Sequence, residues 1–381
     1  MKIRDLLQIR SPGATTSARS TTSEAQGVSR RRFLRTGLGG TGLLGAAALG
    51  LAPLRDTPSR GGQEPNPPPE SGYGDRGGGP HAEVMHPMPT VVGEVDHDRN
   101  GFHPSRILTD FDAGAVSTLA SGQTLHEYTL IAQNKNIEIV PGLEFPAWTY
   151  NGRVPGPTIR VREGDRVRIR HINASDHPHS IHFHGVHPGS VDGVFDVRSG
   201  IVGKGGEFIY EFDAEPFGLH LYHCHAAPLA KHIAKGLYGA FIIDPKVGRP
   251  HADHELVMVM SGYDVDFDGK NEFYLVNGIP FHFDHGKNPI RIRVGELVRI
   301  YLVNALEYDP INSFHLHANF FHYYPTGTSL TPAEFTDTIS QMQGQRGILE
   351  FSYKHPGRYM FHAHKTEFAE LGWTGIFEVE A

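Results

Sequence analysis

The sequence predicts an all-β protein whose folded part is two similar β-sandwich domains. Three observations predict it. Aromatic and β-branched residues come in short strand-like runs separated by Gly and Pro, of which the 381 residues hold 45 and 27. Long helical periodicity is missing. A stretch of alternating apolar and polar residues also occurs twice, which sets the domain count at two.

The chain opens on an address. Ser29 to Arg35 (SRRRFLR) places twin arginines before the mildly apolar, Gly- and Ala-rich run from Thr36 to Ala52, the pattern of a Tat export signal. That run is short, broken by glycines, and weaker than the roughly 20 strongly apolar residues of a spanning helix. Residues 1–52 are therefore expected to direct export to the periplasm or the exterior, with no membrane partner beyond export. Residues 53–92 are rich in Pro, Gly, Ser and charge; they cannot bury a core and are expected to be a disordered tether. His81, Met85, His86 and Met88 near its end imply no fixed geometry and read as a solvated tail. The net charge of −7, with no basic block outside the signal, points away from nucleic acid and anionic membranes as partners.

In the remainder, Thr158 to Asn173 (TIRVREGDRVRIRHIN) lines up with Pro289 to Asn304 (PIRIRVGELVRIYLVN). Each copy follows an Asn-Gly turn, Asn151-Gly152 and Asn277-Gly278, and each alternates as half-buried strands do. The repeat continues into histidines. His179 to His184 (HSIHFH) matches Asn312 to His317 (NSFHLH), and the run ending in His223-Cys224-His225 matches the one ending in His362-Ala363-His364. The expected domains are 93–246 and 247–381.

The chemistry follows from those histidines and one sulfur. Cys224 is the only cysteine, so it forms no intramolecular disulfide. On a strand running from Gly218 to His225, His223 and His225 share a face while Cys224 projects to the other, so two metal half-sites stand back to back. A thiolate with two imidazoles is the donor set of a blue-copper electron-transfer site. Domain one supplies it in Cys224, His232 and His179, whose odd spacing from His182 turns it away from the His182/His184 pair. The position five after His232, where a weak axial ligand would come, is Leu237; a carbon-lined axial side favours Cu(I) and raises the reduction potential. In the second domain Asn312 stands for His179, Ala363 for Cys224 and Trp373 for Leu237, and the loop from His364 to Gly372 is shorter than that from His225 to Gly236. That domain is expected to have no blue-copper site, while its histidine pairs persist. The eight histidines of the four pairs are the right number for three further coppers sharing imidazoles.

On these motifs, from about Asp110 to the C-terminus, the chain resembles the two-domain multicopper oxidases, laccase-like proteins of two cupredoxin-like Greek-key β-sandwich domains. The resemblance implies about four coppers per chain: a type 1 copper on His179, Cys224 and His232; a type 2 copper on His182 and His315; and a type 3 pair on His184, His223, His225, His317, His362 and His364. It implies one-electron oxidation of a small reducing substrate (a phenol, an aromatic amine or a metal ion) and four-electron reduction of O2 to water. Water formation needs protons. Asp192, in a Val-Asp-Gly stretch resembling the family's Asp-Gly element, is the first candidate donor, and Glu367, three residues after His364, the second. Each domain offers half of the cluster. Similarity to the two-domain relatives implies a homotrimer with clusters at subunit interfaces. His171, His177, His187, His220 and His322 are candidate outer partners of the ligand imidazoles. Two alternatives stand beside the oxidase. One is a copper-containing nitrite reductase, a family with an aspartate at the place of His182 and a non-ligand at that of His225. The other is a non-catalytic periplasmic copper or electron carrier, which needs only Cys224, His179 and His232.

Overall fold

Short helices α1 (His97–Asn100) and α2 (Pro104–Ile107) lead into the first domain. Its strands are β1 (Phe111–Asp112), β2 (Ala115–Thr118), β3 (Thr124–Val140), β4 (Leu143–Tyr150), β5 (Thr158–Arg162), β6 (Arg166–Asn173), β7 (His182–Phe183), β8 (Glu207–Asp213), β9 (Gly218–His223) and β10 (Tyr238–Asp244), with helix α3 (Leu229–Ala234) before the last. This computed structural model describes residues 94–194, 200–284 and 287–381; the export signal 1–52 and the tether 53–92 lie outside the described residues.

One sheet runs β1-β5-β10-β9-β7 and the facing one β2-β3-β6-β8, with β4 on β3. The pairing of strands distant in sequence, β10 parallel to β5 and antiparallel to β9, is that of a Greek-key sandwich. The alternation in β5 and β6 places Ile159, Val161, Val167 and Ile169 inside, almost wholly buried. It places Arg166, Arg168 and Arg170 outside, paired to Glu211, Glu127 and Glu207. Burial of one such aliphatic side chain contributes about 1.5–3 kcal/mol, against about 0.2–1 kcal/mol for an exposed ion pair, so the inner face fixes the strand register.

The second domain repeats the plan with β11 (His254–Tyr263), β12 (Phe273–Val276), β13 (Ile290–Arg293), β14 (Val298–Asn304), β15 (Ile311–Leu316), β16 (Phe321–Pro325), β17 (Glu334–Thr336), β18 (Thr338–Met342), β19 (Arg346–Phe351), β20 (Gly357–His362) and β21 (Thr374–Glu380), and helix α4 (Thr366–Glu370). Its sheets are β12-β11-β14-β19-β16-β17 and β13-β21-β20-β15-β18. The Asn-Gly turns take the left-handed conformation in both domains, with φ of 54° and 73° at Asn151 and Gly152 and 55° and 93° at Asn277 and Gly278.

The second copy of the repeat keeps the expected alternation in β13 but departs from it in β14, where every residue is buried. The reason is the neighbouring domain. Leu219, Leu221, Ala240 and Ile242 of the first domain pack on Val257, Val259, Tyr301, Val303 and Ile348 of the second, so the outer face of β14 is a core of its own. Arg299 is held in that strand by Glu255 at 3.1 Å and Glu350 at 2.6 Å, and Glu255 also takes Arg160 from the first domain at 2.8 Å. A second departure concerns β9. It ends at His223 rather than His225, because the His225 N–H leaves the ladder to donate to Ser180 Oγ at 3.1 Å.

Candidate metal centres

Strand β9 lies between two cores. Leu219 and Leu221 face the second domain, whereas Tyr222 and, just beyond the strand, Cys224 face the interior of the first. The alternation sends the His223 and Cys224 side chains apart. The Cys224 N–H donates to Leu237 O at 3.0 Å, and its sulfur receives the Ser180 N–H at 3.4 Å. His179 is pinned by a reciprocal backbone pair with Val202, and His232 comes from α3. The donor atoms converge. Sγ lies 3.1 Å from His232 Nδ1 and 3.8 Å from His179 Nδ1, and the two Nδ1 atoms are 3.1 Å apart. Leu237 belongs to the same core cluster and is fully buried. The Trp148 ring closes another side, 5.1 Å from His179 and 4.7 Å from His232.

Burial sets the charge state of this pocket. It pushes the Cys224 thiol up to about 11. It also brings His179 down to about 3 and His232 to about 4, with His232 and His177 respectively adding to the effect. Both imidazoles are therefore neutral, with ring nitrogens turned on each other and on a buried thiol. Such a set is completed by a cation, which also turns the thiol into a thiolate. Two imidazoles and one sulfur, with only carbon at Leu237, suit copper.

In domain one the histidine pairs stand on the other side of β9, from β7 and the end of β9, and in domain two they come from the ends of β15 and β20. In domain one His184 Nε2 and His223 Nε2 stand 3.2 Å apart, and the His182 ring lies 5.4 Å from that of His225. In domain two His317 Nε2 and His362 Nε2 stand 3.0 Å apart, and the His315 ring lies 5.2 Å from that of His364. A common device aims them. The Nδ1 atoms of His182, His223, His315 and His362 face the carbonyl oxygens of Asp192 (3.0 Å), Cys224 (3.0 Å), Asp337 (3.0 Å) and Ala363 (2.7 Å). A carbonyl only accepts, so each Nδ1 carries the proton and each Nε2 keeps its lone pair for a ligand. Burial holds His184 down to about 2, with His223 and then Arg346 adding to it; Arg346 Nη1 reaches across from domain two to 3.4 Å from His184 Nδ1. Among the described residues, ring contacts join the members of each half-site to one another and not to the other half-site.

Of the two carboxylates singled out in the sequence, Asp192 lies at the half-site, its Oδ1 3.1 Å from His182 Nδ1 and 3.8 Å from His187 Nε2. Glu367 sits on α4, largely exposed, and pairs with Lys365 at 3.3 Å. His177 lies against Trp148 at a ring tilt of 40°, beside the Cys224 pocket. His171 and His220 are turned to backbone oxygens of Leu130 and Pro216, and His322 lies against Phe335. Sequence reasoning missed Thr338, whose hydroxyl lies 2.7 Å from His315 Nδ1, and the paired serines Ser180 and Ser313. The serines were visible in the aligned HSIHFH and NSFHLH stretches, and in the structure both do the same thing. Ser313 Oγ accepts from His364 N at 2.8 Å as Ser180 Oγ does from His225 N.

Domain two keeps the frame of the Cys224 pocket without its donors. Ala363 N donates to Trp373 O at 3.2 Å, the counterpart of Cys224 to Leu237. Trp373 and Ala363 fill the interior there, and Asn312 is buried where His179 stands in the first domain.

Models of the multicopper oxidase family match residues 131–248 and 251–381. A solved structure described as a multicopper oxidase is 61% identical, with a TM-score of 0.74, covering 75% of this chain and all of its own. A copper nitrite reductase structure from Nitrosomonas europaea is 28% identical with a TM-score of 0.61, covering 67% of this chain and 94% of its own. The copper-containing nitrite reductase of Neisseria meningitidis is 32% identical over 252 residues, 60% of this chain and 63% of that protein. The match thus spans less than two thirds of that curated relative's length.

Proposed function

The chain belongs to the multicopper oxidase family, a family of copper oxidoreductases, and from that premise we propose that it is a laccase-like oxidase. It would take electrons singly from a small reducing substrate and use them to reduce O2 to water. The observation that carries this reading is the imidazole supply outside the Cys224 pocket: half-sites in both domains, with Nε2 pairs 3.2 and 3.0 Å apart and the Nδ1 protons of His182, His223, His315 and His362 held by carbonyls. An electron carrier has no use for those histidines.

His179, Cys224 and His232 would hold one copper, and the eight histidines of the pairs three more, so about four per chain. Bound there, copper would supply one-electron redox chemistry at the thiolate site and oxygen reduction at the shared imidazoles. The chain's own residues do the rest. The buried Cys224 pocket excludes water, and Trp148 limits the motion of both its imidazoles. His223 and His225 are the chain neighbours of Cys224, and the His223 Nδ1–H donates to the Cys224 carbonyl at 3.0 Å, so backbone and hydrogen bond join the two sides of β9. Asp192 holds His182 through its carbonyl and carboxylate and is placed to pass protons toward the half-site.

The separation of the half-sites within one chain supports completion by a neighbouring copy, in the closed heterologous arrangement of a homotrimer. The twin-arginine stretch supports export by the Tat route, to the periplasm or beyond. A second reading, nitrite reduction, is favoured by the likeness to the Neisseria enzyme, itself a copper-containing nitrite reductase. The test is oxygen uptake by copper-loaded protein with a one-electron donor, against a Cys224→Ala control. Uptake without peroxide release, lost in the control, is the expected result. A fully copper-loaded sample that takes up no oxygen but reduces nitrite would overturn the oxidase in favour of the second reading.

A further inference from the structure

A further cluster of histidines lies away from both faces of β9. His97 is on α1, His103 caps α2, and His282 follows β12 in domain two. Their ring nitrogens come within 4.8 Å of one another. Their centroids are 4.2, 4.9 and 5.1 Å apart, near the spacings within the histidine pairs, where His182–His184 is 5.1 Å and His315–His317 is 5.0 Å. From these positions we propose that His97, His103 and His282 bind a divalent late transition-metal ion of the zinc or copper type, which ties the segment preceding the first domain to the second.

Several features support a ligand. The His97 Nδ1 atom is buried and has no hydrogen-bond partner, a costly state for a nitrogen that a proton donor or a metal relieves. The His282 side chain is likewise almost wholly buried, at 6% exposure. At His103 Nδ1 the Ser105 amide donates at 3.2 Å, so that nitrogen carries a lone pair, which a metal would take in place of this long cap bond. Ser105 Oγ stands 2.8 Å from His282 Nε2, a hydrogen bond that the hydroxyl would give up by rotating aside when a metal takes that nitrogen. The frame is rigid: Asp96 caps α1 by accepting from Arg99 N at 2.9 Å, and Asn100 Nδ2 ties the helix to Glu138 O at 2.8 Å. Glu94, Asp96 and Asp98 act on His97 electrostatically and favour a cation, with Arg106 opposing near His103. The donor set of three imidazoles without a carboxylate selects borderline ions such as Zn2+ and Cu2+ over Ca2+ or Mg2+. None of the three residues belongs to the proposed copper centres, so this inference stands or falls apart from the oxidase reading.

The test uses the full chain, saturated with copper, then equilibrated with zinc chloride and freed of excess. Zinc and copper are counted in the wild type and in the His97→Ala/His103→Ala double variant, and wild-type crystals are measured at the zinc absorption edge. The expected result is one fewer metal ion per chain, zinc and copper summed, in the double variant, with an anomalous peak among the three rings of the wild type. Equal summed zinc and copper content in a folded double variant overturns the proposal. So does a wild-type map with no peak among the rings, which would leave a knot of hydrogen bonds around Ser105; that measurement stands even where the variant does not fold.

Discussion

If the cluster is completed between chains, two inactive variants should restore each other. His184→Ala removes an imidazole from the domain-one half-site and His317→Ala removes one from the domain-two half-site, while each leaves the Cys224 pocket intact. A cluster formed by domain one of one copy and domain two of the next needs an intact half from each. When the two variants are co-expressed in equal amounts and assemble at random, half of the domain-one sites and half of the facing domain-two sites are whole. About a quarter of all clusters are then complete. Oxygen uptake per chain should recover to about a quarter of wild type, whereas each variant alone stays near zero. The premise is visible in the chain itself: His184 meets His182 and His223, His317 meets His315 and His362, and neither set touches the other. Variants purified separately and mixed without exchange provide the baseline. Co-expressed protein that assembles as mixed oligomers yet shows no activity above that baseline would refute the interfacial cluster and require both half-sites to close within one chain.

Three other perturbations separate the roles assigned above. Asp192→Asn keeps an oxygen for His182 Nδ1 but cannot carry a proton, so copper content should hold while oxygen turnover falls by about 10²–10⁴-fold; unchanged turnover would reduce Asp192 to a positioning residue. Ser313→Ala leaves the His364 N–H without its 2.8 Å acceptor and should cost about 1–3 kcal/mol in urea denaturation of the metal-free protein, and a loss under about 0.5 kcal/mol would show that water replaces the hydroxyl. At Glu255, burial raises the carboxyl pKa, but hydrogen bonds from Arg160, Tyr301 and Arg299 outweigh it and hold the group down to about 2 from an ordinary 4.5. The depressed value means its stabilisation, about 3 kcal/mol, is present above pH 4.5 and lost as pH falls toward 2. The stability gap between wild type and Glu255→Gln should therefore shrink to about 1 kcal/mol at pH 3, and a gap independent of pH would remove the charge from the account.

What the sequence revealed and what it hid differ by the range of the interaction. The His-x-His pairs and Cys224 were legible because strand alternation is a local rule: carried past the end of β9, it sends Cys224 to the domain-one core and His223 to the histidine half-site. The domain-two substitutions were legible through the repeat. Full burial of β14 was not, since the residues that cover it, Leu219 and Leu221 among them, arrive from the other domain and follow no local period. The Asp337 and Thr338 partners of His315 and the meeting of His97, His103 and His282 were hidden for the same reason.

The contrast between the two pockets shows which part of a metal site is scaffold and which is chemistry. Ser180 and Ser313 make the same bond, and the Cys224–Leu237 and Ala363–Trp373 backbone contacts match at 3.0 and 3.2 Å. The backbone frame therefore survives without donors, and it does so because it also holds His223, His225, His362 and His364. Trp373 and Ala363, packed with Phe314 and Phe361, put apolar volume where the first domain keeps its donors. The Asn312 Nδ2 and Trp373 Nε1 atoms are buried there without partners, a penalty of about 1–3 kcal/mol each. Restoring cysteine at Ala363 alone would thus give a buried thiol among carbon atoms rather than a second thiolate site, because the facing imidazoles and the longer loop that carries His232 are both missing.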